Sequence, residues 1–324
     1  MILLEARFLG EPTMRLKSLV VVALFSAFTF MLLYCGQTAA QHAPASSSIK
    51  RVYVGVWLVN VERIDLAASS YRLDFYLWFK FNPSEIDPST VKAFEIVNGA
   101  PTKQDIVTEE EDRIEYRIRG EFVKTFDFTR YPFETHTLTI ELEHKRLNAS
   151  KLVFQPDLET AIDETVNVAG WEIGGFEQTV VEHSYGEEAY SRYIFILHLK
   201  RPTLSAFVKS VLPISVITTI SLLTFFISPQ NFSQRIGLAV STLMAASAFH
   251  LSLLSGIPPI GYLTLADRMM ISVYAIFLYN LSVSVYIMKL VDAKKIEEAQ
   301  KFNAKALKAL AILIAILITI QLAI

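Results

Sequence analysis

Four apolar runs, at about 205–228, 234–254, 267–290 and 305–324, fill almost everything after residue 204 and leave the chain few ways to fold. Each is close to the roughly 20 residues that a helix needs to cross a bilayer. In hydrocarbon, such a run can satisfy its backbone polar groups only as a helix or in a closed barrel. The second half therefore reads as four transmembrane helices. The connections Ser228–Ser233 and Ser255–Tyr262 are too short to hold domains of their own. The third connection carries Lys289, Lys294, Lys295, Lys301 and Lys305, and by the positive-inside rule it faces the cytoplasm. Four spans with that connection inside put the preceding residues outside.

Those residues have a different texture. From 49 to 203 apolar and polar side chains alternate, most clearly in Val52–Val61, Tyr71–Phe81, Arg113–Phe122, His136–Leu142 and Tyr193–Lys200. Breaks fall at Asn82-Pro83, Asn98-Gly99, Arg119-Gly120 and Ala169-Gly170. A period of two punctuated by turn residues predicts short antiparallel strands, and many of them in succession predict a β-sandwich. The expected fold is an all-β extracellular sandwich over 49–203 followed by an all-α four-helix membrane domain over 204–324. A composition 52% hydrophobic, with mean hydropathy +0.37, suits that division. A formal net charge of -2 supplies no basic field for nucleic acid, so none is expected as a partner.

Before the sandwich, Arg15 and Lys17 precede the uncharged run Leu19–Leu33 and the small residues Thr38, Ala39 and Ala40. This is the pattern of a signal peptide over 1–40, starting at Met14, with a flexible segment 41–48 after it. A retained fifth membrane helix is the other reading. The single cysteine, Cys35, lies inside that leader, behind a bulky Tyr34 that does not suit a lipid-anchor site. The mature chain would hold no thiol, so neither a disulfide nor a cysteine-based metal site is expected, and no cofactor motif is seen.

The second run differs from its neighbours. Ser233, Gly237, Ser241, Met244, Ala248, Leu251 or Ser252, and Ser255 recur in steps of three and four and trace one helical face. Such a face can line water: hydroxyls replace part of an ion's hydration, and apolar rings close the path by dewetting. On that reading Ser233, Gln234, Gly237 and Ser241 form a selectivity region, and Met244, Ala248 and Leu251 a gate. The alternative is that small residues allow close helix packing in lipid. His250, near the outer end, is either a pH sensor or a hydrogen-bonded histidine against the third helix.

The segment Phe126-Asp-Phe-Thr-Arg-Tyr-Pro-Phe-Glu134 resembles the conserved-loop motif of pentameric ligand-gated ion channels, the superfamily of nicotinic and glycine receptors, and Arg235-Ile-Gly-Leu238 is similar to the start of their second helix. Many animal members close that loop with two cysteines; here Lys124 and Leu138 stand in those places. With the short third connection, this resembles the prokaryotic branch. It implies a homopentamer, each subunit with four identical partners in a lipid bilayer, gated by a small-molecule or proton agonist and passing permeant ions. The resemblance implies a ligand site between neighbouring sandwiches. Phe94, the segment around Glu159 and the hairpin Glu182–Arg192 with Tyr185 and Tyr190 would form one face; Tyr76, Trp78, Arg113 and Tyr116 would form the other. Aromatic faces can hold a cation, and Glu187 and Glu188 hint at an amine; the same aromatics also suit a core.

The resemblance further implies that Tyr131, Pro132, Phe133 and Glu134 press on the link containing Pro258 and Pro259. Arg201, paired with Asp127 or Glu134, would tie the domains, and Asp65 would join them. Gln234 stands where cation-selective members carry glutamate, and the Pro-Ala insertion of anion-selective members is missing. Resemblance to the prokaryotic branch favours cations slightly. The competing function is a membrane-anchored β-sandwich that binds or assembles without conducting. An anchored enzyme fits poorly, because His136, His144, His183 and His198 are scattered and no nucleophile elbow or phosphate loop occurs.

Overall fold

The computed structural model describes residues 49–323, so the expected leader 1–40 and the segment 41–48 lie outside the described residues. Ten strands make two facing sheets: β1 (Lys50–Asp65), β2 (Ser70–Phe81), β3 (Phe94–Ile96), β4 (Gly99–Glu109), β5 (Arg113–Val123), β6 (Thr135–His144), β7 (Leu152–Pro156), β8 (Ala161–Ile162), β9 (Glu172–Tyr185) and β10 (Glu188–Lys200). One sheet runs β4-β5-β2-β1-β7 with β8 also on β1, and the other runs β3-β6-β10-β9. Inward positions alternate most clearly in β5, where Ile114, Tyr116 and Ile118 point into a core that includes Phe75, Phe79, Phe122 and Phe195. Tyr71 crosses that core: its hydroxyl donates to the Thr139 carbonyl at 2.7 Å and accepts from the Thr139 amide at 3.0 Å.

The break expected at Arg119-Gly120 is not one, because β5 runs through it. A Cβ at Gly120 would come 3.1 Å from the Phe122 ring and 3.3 Å from the Ala100 carbonyl, so this glycine lets β4 and β5 approach. The place of the missing cysteine pair is also visible. Lys124 donates to the Thr137 hydroxyl, while Leu138 is turned wholly into the core.

Four helices follow: α1 (Thr203–Phe226), α2 (Phe232–Leu254), α3 (Leu265–Asp292) and α4 (Ile296–Ala323). Pro213 has no amide proton and its ring crowds the preceding turn. The first helix accommodates it by widening to a π-turn at Phe207–Val211, where the Leu212 amide reaches back to the Phe207 carbonyl. Thr264 caps α3 in a capping box with Asp267. The last helix begins well before the expected 305, and the third connection shrinks to 293–295, with Lys294 at a positive φ of 60°. The residues between 296 and 305 are polar but good helix formers, so the helix continues past the apolar stretch. Lys289 therefore lies on α3, and Lys301 and Lys305 on α4.

Buried polar side chains pin the bundle. Asn280 on α3 donates to the Ser221 carbonyl at 2.7 Å and hydroxyl at 2.8 Å, and it accepts from the Thr224 hydroxyl at 2.7 Å. Asn280→Ala should cost about 2 kcal/mol, given roughly 0.6–2 for each interhelical hydrogen bond in a membrane. A lowered unfolding midpoint in detergent would show it, and an unchanged midpoint would contradict it.

Candidate functional site

The conserved-loop motif forms the seam between sandwich and helices. The Leu265 amide donates to the Thr129 carbonyl at 2.9 Å and the Ala266 amide to the Tyr131 carbonyl at 3.0 Å, so loop carbonyls satisfy free amides at the start of α3. The Phe128 amide donates to the Tyr262 hydroxyl at 2.9 Å, and the Tyr131 hydroxyl to the Leu253 carbonyl at 2.9 Å. Pro132, after a cis peptide bond, is buried beside Ile214, Phe249, Leu253 and Met270. Phe133 is half-buried beside it.

Glu134 is 1% exposed, and its Oε1 accepts from Arg201 Nε at 2.8 Å and Nη2 at 2.7 Å. The Arg201 guanidinium also lies 4.7 Å from the Trp171 ring and 5.8 Å from Tyr131. Of the two carboxylates considered for Arg201, the structure selects Glu134. Asp127 is occupied elsewhere: it accepts from the Thr129 amide at 2.9 Å and hydroxyl at 2.6 Å, which hold its carboxyl below the usual range.

In the link between α2 and α3 it is Ile257 and Ile260 that pack against the sandwich core, with Pro258 half-buried and Pro259 exposed between them. Asp65 forms no bond to the helical half among the described residues; it pairs with Arg63 and accepts from the Ala68 amide at 2.9 Å. Trp171, Ile257, Ile260 and Tyr262 were not singled out in the sequence. They sit in loops, where periodicity carries no signal.

On α2, Arg235, Ala239, Thr242 and Ala246 are buried against the rest of the subunit. Ser233, Gln234, Gly237, Ser241, Met244, Ala248, Leu251, Ser252 and Ser255 are all exposed, Met244 at 68% and Leu251 at 75%. The exposed face bears no charged side chain, because Arg235 turns inward. Its Nη1 donates to the Ile227 carbonyl at 2.9 Å and its Nη2 to Asn303 Oδ1 on α4 at 2.8 Å. His250 is half-buried; one ring nitrogen lies 3.1 Å from the Tyr274 hydroxyl and the other 3.1 Å from Asp267 Oδ1 on α3.

The aromatic candidates divide. Phe94 is 6% and Tyr116 3% exposed, with rings 5.2 Å apart; Phe94 lies tilted against Phe79 at 4.9 Å and Tyr116 meets it edge-on at 6.3 Å. Both are core residues, which corrects their assignment to a ligand pocket. Tyr76, Trp78 and Arg113 line a depression of about 520 Å³, with Arg113 lying 5.4 Å over the Trp78 ring. Trp78 is 3% exposed, and its indole N–H donates to Asp157 at 2.8 Å. Glu159 lines this same depression, 2.7 Å from Lys80, and so belongs with Tyr76 and Trp78 on one subunit face rather than across from them. At the β9–β10 hairpin, Tyr185 is half exposed and packs edge-on against Tyr190 at 5.9 Å. Arg192 donates to the Tyr185 hydroxyl at 2.9 Å while bound to Glu143 at 2.7 Å and Glu141 at 3.0 Å.

No protein-family profile matches the sequence. Over 259 residues, which is 72% of this chain and 72% of the relative, it is 24% identical to a proton-gated ion channel of Gloeobacter violaceus. The loop motif, the sandwich and the four apolar helices follow one another in the order expected from the resemblance to the pentameric ligand-gated ion channels, and each of the four helices is long and apolar enough to cross a membrane.

Proposed function

We propose that five copies of this chain surround an aqueous path lined by the exposed face of α2, and that protons acting on the sandwiches open it through the seam of loop 126–134. The observation that carries the reading is the face itself. Ser233, Gln234, Ser241, Ser252 and Ser255 are uncovered in one subunit, and side-chain polar groups facing lipid would be costly. Water on that face removes the cost. The sandwich lies outside the cell or in the periplasm, the α3–α4 turn lies in the cytoplasm, and the membrane is the plasma or inner membrane. Cysteines at 237, 241 and 248, in a Cys35→Ser background, should react with water-soluble thiol reagents and block current. Protection of all three in open channels would sink the reading, as would a purified protein that never conducts.

The passing ions are small and monovalent, with cations favoured by resemblance to the prokaryotic branch. Neutral Gln234 is the residue at which charge should matter most. Gln234→Glu sets five carboxylates in one ring and should raise cation over anion permeability roughly tenfold, read as a shift of reversal potential in asymmetric salt. An unmoved reversal potential would take 233–241 out of the selectivity region. The relative's gating by protons supports the agonist assignment. A small-molecule amine at the hairpin is the second reading, favoured by the exposed Tyr185, which sits across the hairpin from Glu188, and by the Tyr190 hydroxyl that donates to Glu188. Current evoked by amines at constant pH would replace the first reading with it.

A further inference from the structure

We infer that His136 is the group through which acid reaches the seam, a proton-binding site held neutral in the described conformation and charged in the conducting one. This rests on the reading of protons as agonist and names their receptor.

His136 is 6% exposed, on an inward position at the start of β6. Its ring stands 4.9 Å from Phe126, 5.6 Å from Phe128 and 5.2 Å from Trp171, all at steep angles. Inside this aromatic cage its Nε2 is buried without a hydrogen-bond partner. Phenylalanine would fill the space with no orphaned nitrogen, so packing alone does not account for an imidazole here. The ring also borders an open cavity of about 380 Å³, lined in addition by Lys124, Asp127, His198 and Lys200, where a charged ring would find water.

The charged groups that face it set the direction. Arg201, which shares Trp171 with it, and Lys124 at the end of β5 both disfavour a second cation, while Asp127 in the loop favours one. Burial, followed by Arg201, pushes the imidazole down from 6.5 to about 4. The described conformation therefore loses nothing to this group above pH 6.5. As pH falls from 6.5 toward 4 it is increasingly disfavoured against any conformation in which the ring meets water. The bias reaches roughly 10²-fold per subunit, repeated in every copy.

The route onward is short. An imidazolium is repelled by Arg201 and drawn to Asp127, and Asp127 lies 3.5 Å from the Tyr262 hydroxyl in the α2–α3 link. Charging His136 thus competes for the carboxylate that faces the link and strains the guanidinium stacked on Trp171.

The test uses the full-length pentamer in planar bilayers and in detergent. Wild type should open as pH falls below about 6. His136→Gln and His136→Phe should each cut the current at pH 5 at least tenfold, with pentamers intact on size exclusion. Acid activation unchanged in both variants overturns the inference and leaves the proton-gated reading standing; a wild type without acid current overturns both. If the variants fail to assemble, the unsubstituted ring decides. In a Trp57→Phe, Trp78→Phe background Trp171 is the sole indole, and an imidazolium beside it should quench its fluorescence with a midpoint between about 4 and 6.5. No quench above pH 4 overturns the proposal.

Discussion

Arg201→Ala should abolish agonist-evoked current, with the largest energetic loss of any single change at the seam. Glu134 is 1% exposed, and both hydrogen bonds from Arg201 fall on its Oε1, while Oε2 is already buried without a partner. Removing the guanidinium strands a buried carboxylate, an event worth about 3–5 kcal/mol. The reverse change should be milder. Arg201 is 27% exposed and keeps Trp171, Tyr131 and water when Glu134 is replaced by Ala. Arg201→Lys should recover only part of the response, because an ammonium offers no second donor in the fixed geometry and no flat face to stack on Trp171. Bilayer currents from pentamers verified by size exclusion give the ranking. Wild-type current from Arg201→Ala, or greater damage from Glu134→Ala, would show that the pair does not join the two halves.

Met244→Ser should give channels that leak without agonist. Met244 is 68% exposed on the α2 face, one turn beyond Ser241 and one turn before Ala248. If five such thioethers close the path by excluding water, a hydroxyl at each position weakens that exclusion by on the order of 1 kcal/mol per side chain, summed around the ring. The expected record is a standing current at pH 7.5 that a pore-blocking cation removes. Silent channels with normal acid opening would move the gate to another level, Leu251 being the next large apolar side chain on that face at 75% exposure.

Most of the architecture is legible in the sequence because two periods write it. A period of two marks the strands, and long apolar runs mark the spans. The errors have physical causes. Gly120 looks like a turn but serves a close strand approach. The start of α4 is hidden because polar helix formers extend it beyond the apolar run. Tyr116 shares the parity of Ile114 and Ile118 in β5, so its inward place could have been read from alternation. Phe94 lies in a strand of only three residues, too short to establish a face.

The seam was half legible. The loop motif located it, and Glu134 precedes β6 directly, yet the choice between Asp127 and Glu134 turned on Asp127 being occupied by Thr129. The link was placed correctly while its contacts fell to Ile257 and Ile260, since the two prolines fix a turn that presents the isoleucines on either side. Glu159 joined the wrong face because its partner Lys80 lies far away in sequence on β2, and no local pattern reports such a pairing. The buried His136 had no local signal beyond its inward parity; its neighbours Phe126, Phe128 and Trp171 come together only in three dimensions.

The loop that follows Lys124 is held without sulfur chemistry. Residues 49–324 contain no sulfhydryl, and Lys124 instead bonds to the Thr137 hydroxyl across the base of the loop. Maturation of this region needs no oxidoreductase. A bath of dithiothreitol, which would open a covalently closed loop, leaves this one intact, and the receptor should keep the same response in oxidising and reducing surroundings.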